Sequence, residues 1–426
     1  MSEPNAALQL KNGDHTGWQK KTTLFLSSQG LSLFGSMLVQ YAIIWHITLT
    51  TQSGLYLTLS TICAFLPQIV ISLFAGVWAD RYPRKFLIIF ADSLTALSTL
   101  VLAVLFLLGY GELWLLFLVS GIRSIGAGIQ SPAVNALLPQ IVPAERLIKV
   151  NGINSTIQPV TMIVAPIASG ALLSFSRLEA IFFIDVVTAL IAVSLLLILK
   201  VPAHQKAAAA QSTGYLDDLK AGLTYIGQMP GIKALFLFYA VVFFLVAPVA
   251  FLSPLMVTRT FGEEVWRLTA NEVTFFVGSI IGGIIMTTWG GFKNHFRTIG
   301  LGCILWAFLF TGLGLSNVFA LYLSLMFLAG IPMPFINVPT TTLLQEMVEP
   351  DMQGRVFGVM QLIMTTMLPL GMLVFGPIAD LITIEVLLVL TGALMLVPGI
   401  WIYANKQMKI TEPARRSADY EMQPGD

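Results

Sequence analysis

Charged side chains are what this sequence has least of. Only 11% of its 426 residues are charged, against 56% hydrophobic, where soluble domains carry about 25% charged residues. A globule of this size needs a charged exterior, so this much apolar surface calls for a bilayer as solvent. Histidine is scarce too: His15 and His204 lie in polar segments, His46 near the end of an apolar run and His295 in a loop. None has an HExxH-type spacing. The two cysteines, Cys63 and Cys303, stand inside apolar runs 240 residues apart. They read as small core residues rather than a disulfide, and two cannot make a four-ligand metal site. There is no G-x-x-x-x-G-K-[ST] loop for ATP and no nucleophile with an evident base. An enzyme is therefore not expected, nor a metal or other cofactor, and any work must draw on a gradient. The net charge of +1 suggests no nucleic-acid partner.

What is present in quantity is long apolar runs. Residues 1–20 are polar, and the run that follows, about 22–49, exceeds a signal-peptide h-region of roughly 7–15 residues. It reads as a retained membrane anchor. A span needs roughly 20 mainly apolar residues. By that measure the candidates are 22–49, 54–79, 86–108, 113–138, 147–174 and 179–199, then 232–258, 271–290, 298–315, 319–345, 355–379 and 382–404. This is an all-α integral membrane pattern of twelve spans in two groups of six. The organisation expected is a six-helix bundle over 1–200, a linker over 201–230, a second bundle over 231–404 and a tail over 405–426. Pro67, Pro166, Pro248, Pro332, Pro334 and Pro369 interrupt spans, as membrane helices tolerate when neighbours re-satisfy the backbone.

With the N-terminus inside, nineteen of the 23 lysines and arginines fall on the inner side, three (Arg177, Arg259, Arg267) on the outer, and Arg123 within a span. By the positive-inside rule both termini are expected to be cytoplasmic, in a multi-pass protein of the cell membrane. The linker carries Leu216, Leu219, Leu223 and Ile226 at helical spacing, which fits either an interfacial helix or a plain linker helix. The halves echo each other at one offset of 206 residues: LLPQIV at 137–142 with LLQEMV at 343–348, Val150 and Gly152 with Val356 and Gly358, and Gly76 with Gly282. Two repeats around a central site are a known transporter arrangement.

Between spans two and three, GVWADRYPRK packs four charges, a proline and a glycine into ten residues. It resembles the signature loop of the major facilitator superfamily, G-x-x-x-D-R-x-G-R-K, at Gly76, Asp80, Arg81, Arg84 and Lys85, with Pro83 in place of the usual glycine. QGLSLFGS (29–36), RSIGAGIQSPAVNALLPQIVP (123–143), FFIDVVTALIA (182–192) and GGFKNHF (290–296) are similar to the macrolide-efflux type of drug:proton antiporter. The loop of the second half departs from the signature, keeping only Lys293, His295 and Arg297, and the antiporter-type fifth-span motif survives as Ala165 to Gly170. The resemblance implies a fold of two six-helix bundles and an exporter of bulky amphipathic compounds, working by alternating access with protons as the coupling ion. It also implies that Asp80 meets the start of span eleven, near Gly354 to Gly358, in the outward-open state. The alternative for this loop is a topology signal alone. Export of an endogenous or siderophore-like metabolite fits the same machinery, and a non-transporting sensor or scaffold is a third reading. A monomer in contact with membrane lipids is expected.

The obvious ionisable residues within the spans are few: Asp92, Arg123 and Asp185. Arg123 is about ten residues into span four, roughly 15 Å deep. An arginine there costs at least about 2.5–3.5 kcal/mol on insertion scales, so a bundle or aqueous cavity must surround it. The family resemblance places it in proton coupling; the other reading is a structural ion pair. Asp185 pairs with it only if both face inward. Asp92 is a coupling candidate or a brace for the loop of Arg81, Arg84 and Lys85. The resemblance further implies that spans one, four, seven and ten line the cavity. Span one offers Gln29, Ser32, Ser36, Gln40 and Tyr41, and span four Gln130 and Asn135. Span seven offers Tyr239, Phe243 and Phe244, and span ten Asn337, Thr340 and Thr341. Asn154 and Gln158 in span five and Gln361 in span eleven are further candidates. Aromatics with a few polar groups suit an amphipathic ligand; for any one of these residues, interhelical packing and hydrogen bonding is the favoured account.

Overall fold

A computed structural model describes residues 17–201 and 215–404, apart from the side chains at 73, 76, 77, 80, 144 and 215–217. Six long helices come first: α1 (Trp18–Thr51), α2 (Gly54–Arg81), α3 (Arg84–Leu107), α4 (Leu113–Ile141), α5 (Leu147–Phe175) and α6 (Leu178–Ile198). After α7 (Tyr215–Gln228) come α8 (Pro230–Thr260), α9 (Val265–Trp289), α10 (His295–Leu315), α11 (Phe319–Gly330), α12 (Pro332–Met347), α13 (Pro350–Ile378) and α14 (Ile384–Ala404). Counting α11 and α12 as one, twelve helices among the described residues are long and apolar enough to cross a membrane. No strand occurs among these residues. Only helices or closed barrels satisfy the backbone in hydrocarbon, and runs of this length take the helical solution.

The tenth span is broken at Ile331 because Pro332 has no N–H to donate into the preceding turn. The turn is closed by a shorter bond, Ile331 N–H to the Leu328 carbonyl at 3.1 Å. Trp306 Nε1 then donates to the Ala329 carbonyl at 2.7 Å. Elsewhere Pro67, Pro166 and Pro369 sit inside continuous helices.

The internal repeat has a structural counterpart. α4 ends at Ile141 and α12 at Met347, each followed by an extended valine, Val142 and Val348. Their N–H groups donate to Leu138 and Leu344 at 3.2 and 3.1 Å, pairs related by the same offset of 206 residues.

The loop of GVWADRYPRK has a structural use for two of its cations. Arg84 donates from Nε to the Ala79 carbonyl at 3.1 Å and from Nη1 to the Ala136 carbonyl at 2.7 Å. Lys85 Nζ donates to the carbonyls of Leu197 and Leu199 at 3.0 and 2.8 Å. Those carbonyls lie near the C-terminal ends of α2, α4 and α6, where the macrodipole is negative. Arg81 is exposed. The side chains at Gly76 and Asp80, which complete the loop motif, lie outside the described ones.

The chain falls into two compact units: one reaches Tyr215 and includes Pro254–Val273, the other comprises Leu216–Ser253 and the chain from Thr274 onward. Within the second, α7 lies against the start of α13. Asp218 pairs with Arg355 at 2.9 Å, the Glu349 N–H donates to the Tyr225 hydroxyl at 3.2 Å, and Gly222 faces the Arg355 carbonyl. Of the apolar stripe on α7, Ile226 is buried, Leu219 half-buried and Leu223 exposed.

Candidate functional site

The interior of the first unit holds two polar centres stacked along α3. At one, Arg123 on α4 and Asp185 on α6 form an ion pair at 2.5 Å, both buried. Arg123 also donates to the Thr99 hydroxyl on α3 and, from Nη2, to the Ser36 carbonyl on α1 at 3.2 Å. Four helices thus converge on one guanidinium. The approach requires Gly35 on α1: a Cβ there would stand 2.2 Å from Thr188 Oγ1 and 2.7 Å from Asp185 Oδ1. Gly126 plays a similar part between α4 and α3, where a Cβ would meet the Ala91 carbonyl at 3.2 Å.

The second centre lies seven residues back along α3, about 10 Å away. Asp92 Oδ1 accepts from Ser32 Oγ at 2.6 Å and from Gln130 Nε2 at 2.8 Å. Gln29 Oε1 stands 3.5 Å from Gln130 Nε2. Asp92 is 3% exposed, and its Oδ2, like the Gln29 Nε2, has no hydrogen-bond partner. Asp92 therefore contacts neutral groups of α1 and α4, whereas Arg84 and Lys85 bond backbone carbonyls.

The second unit contributes an aromatic and hydroxylated cluster. Tyr239 on α8 is buried; its hydroxyl donates to the Ile336 carbonyl at 3.1 Å and lies 3.4 Å from Asn337 Oδ1 on α12. Its ring stacks on Phe243, centroids 5.4 Å apart, and Phe244 packs on Phe375 at 5.1 Å. Thr340 is buried and returns its hydroxyl to the Ile336 carbonyl at 2.7 Å. Removing the phenol in Tyr239→Phe is expected to cost about 0.5–1.5 kcal/mol with no loss of the ring stack, read as a lower unfolding midpoint in detergent.

The remaining candidates are spread out. Gln29 and Ser32 are buried, and Ser36, Gln40, Tyr41, Gln130, Asn154 and Asn337 are half-buried. Asn135, Gln158, Thr341 and Gln361 are exposed on their helices. Gly35, Thr99 and Thr188 are site residues the sequence reading does not single out. Thr99 is two helical turns from Asp92 on the same helix, a spacing that could have pointed to it; Gly35 and Thr188 carry no comparable signal. Glu272 on α9 is not singled out in the sequence either, yet it acts electrostatically on Tyr41 within the first unit. Its carboxylate accepts from Asn271 Nδ2 at 3.2 Å.

The family profile of the Major Facilitator Superfamily matches residues 23–367. Macrolide efflux protein A of Streptococcus pyogenes is 29% identical over 384 residues, 90% of this chain and 95% of that protein. The protein of the same description from Enterococcus faecalis is 30% identical over 322 residues, covering 75% and 99%. A staphyloferrin A transporter of Staphylococcus aureus is 20% identical over 91% of this chain and 97% of its own. Among solved structures, the nucleoside transporter NupG superposes with a TM-score of 0.68 at 15% identity, over 91% of this chain and 98% of that one. At that identity the likeness is one of fold.

Proposed function

Because the chain belongs to the Major Facilitator Superfamily, we propose that it is a secondary active exporter of bulky amphipathic compounds, driven by protons across the cell membrane. The observation that carries this reading is the near-full-length similarity to macrolide efflux proteins. In this reading both termini are cytoplasmic and two six-helix bundles work by alternating access. Gly76, Asp80, Arg81, Arg84 and Lys85 form the gating loop. Proton coupling belongs to the first half, where Asp92, Arg123 and Asp185 lie, and the second half supplies an aromatic and hydroxylated wall around Tyr239. The chain works as a monomer on a small-molecule substrate and performs no covalent chemistry. A second reading, export of a siderophore-like metabolite, is favoured by the similarity to the staphyloferrin A transporter.

The test is fluorescent-drug efflux from cells expressing the chain, with and without a protonophore, for wild type and Arg123→Ala at matched surface expression. Wild-type efflux is expected to stop with the protonophore, and the variant to lose it. Efflux that survives the protonophore would refute proton drive, and an intact Arg123→Ala would remove Arg123 from the mechanism. Absence of efflux for every dye would favour the metabolite reading.

A further inference from the structure

We infer that Asp92 is the carboxyl that binds and releases the transported proton, while Asp185 stays paired with Arg123 beside it. The inference rests on the proton-driven reading above and assigns its proton to one atom, Asp92 Oδ2.

The two buried carboxyls of the first unit are built differently. Asp185 is matched by a guanidinium at 2.5 Å. Protonating it would leave Arg123 buried with only the Thr99 hydroxyl and the Ser36 carbonyl, and a buried charge that loses its partner is strongly destabilising. Asp92 has no cation to lose. Its hydrogen-bond partners are Ser32 from α1 and Gln130 from α4, both neutral, and the charge that α6 presents to it is the carboxylate of Asp185. Beyond its first turn α4 carries one charged residue, Arg123, and that guanidinium is engaged with Asp185. On α2 the charged residues are Asp80 and Arg81, at its far end, and α3 opens with Arg84 and Lys85.

The hydrogen bonds suit both states of the group. Oδ1 already takes two donors, as the carbonyl oxygen of a neutral acid does. A hydronium ion gives its proton to a lone pair of Oδ2, the oxygen that has no partner, and leaves as water; no hydrogen bond of the protein is broken, and release to water reverses the step. Gln29 adjoins this centre through Gln130, whose Nε2 stands 3.5 Å from the Gln29 Oε1. The Gln29 Nε2 is also without a partner and buried. α1 links this centre to the ion pair. Ser32, bonded to Asp92, is one turn from Ser36, whose carbonyl holds Arg123, and Gly35 between them lies against Asp185. A shift of α1 on proton binding is therefore felt at both centres.

The test needs neither substrate nor gradient: infrared pH-difference spectra of the purified full-length protein in lipid vesicles. A protonated-carboxyl band is expected in wild type and lost in Asp92→Asn. Ser32→Ala and Gln130→Leu keep the carboxyl and should move the band to higher frequency, because its carbonyl oxygen loses a donor; these two decide the matter if Asp92→Asn does not fold. A band unchanged in all three variants, or no such band in wild type, overturns the assignment. The dye assay reports separately on export: a band that behaves as expected without efflux would unseat the drug-export reading and leave Asp92 as a proton site.

Discussion

Arg123→Ala is expected to lower the stability of the purified protein by about 3–5 kcal/mol, the range for breaking a buried ion pair from one side. The loss comes less from the vanished attraction than from Asp185, left without its cation at 1% exposure among helices α1, α3 and α4. Adding Asp185→Asn should therefore return most of it, since removing both charges is often close to neutral. The measurement is a double-mutant cycle by chemical unfolding in mixed detergent, with a coupling energy expected at the upper end of roughly 0.5–3 kcal/mol. A double variant as unstable as Arg123→Ala would show that the guanidinium's bonds to Thr99 and Ser36, not its charge, hold the bundle. Stability and export separate here: the double variant should fold well yet fail in the efflux assay if the pair serves the transport cycle.

The second large effect is steric and lies in the other unit. Gly278 and Gly282 on α9 are one turn apart, in the GxxxG spacing that lets membrane helices meet backbone to backbone. A Cβ on Gly278 would stand 1.9 Å from the Phe327 carbonyl oxygen, and one on Gly282 would stand 2.2 Å from that of Ile331. From the opposite side, a Cβ on Gly330 would come within 2.1 Å of the Phe275 carbonyl. Overpacking costs typically about 1–3 kcal/mol, occasionally more. Gly278→Ala should reach the top of that range, because the obstacle is main chain that no rotamer change can move aside. The adjacent Gly283 has nothing within 4 Å of a built Cβ, so Gly283→Ala should be neutral or gain up to about 1 kcal/mol of helix propensity. Folded yield and unfolding midpoint of the two variants, side by side, make the comparison. Equal behaviour would contradict the close contact of α9 with α11.

The sequence pattern and the structure agree best where the cause is local. Span 54–79 becomes α2 (Gly54–Arg81) and span 147–174 becomes α5 (Leu147–Phe175), because a run of apolar residues can satisfy its backbone in lipid only by coiling on itself. Pro332 breaks the tenth span for an equally local reason, the missing N–H. The start of the ninth span reads later in the sequence, at 298, than the helix start at His295. There Asn294 caps the helix, accepting from the Phe296 N–H at 3.0 Å, so polar residues occupy the first turn and hide it from a hydropathy reading. For Lys85, the positive-inside count explains why a cation stands in the loop but not that its ammonium closes the end of α6.

By itself, then, the sequence determined the solvent, the number of spans, the two-fold repeat and the rarity of buried charge, since each follows from composition, run length or spacing along one helix. Only the tertiary structure decided which of those charges meet. Arg123 and Asp185 are 62 residues apart on different helices. Whether they face each other depends on the rotation of α4 and α6 about their own axes. That rotation is set by contacts such as Thr188 against Gly35, where the absence of one methyl group lets α1 approach. The same holds for Asp92, which a one-dimensional reading can place near the loop cations or beside Ser32 and Gln130 with equal right. Apolar run length is a sum over neighbours in the chain, whereas partner choice is a property of packed surfaces, and no periodicity in one helix encodes the face another presents.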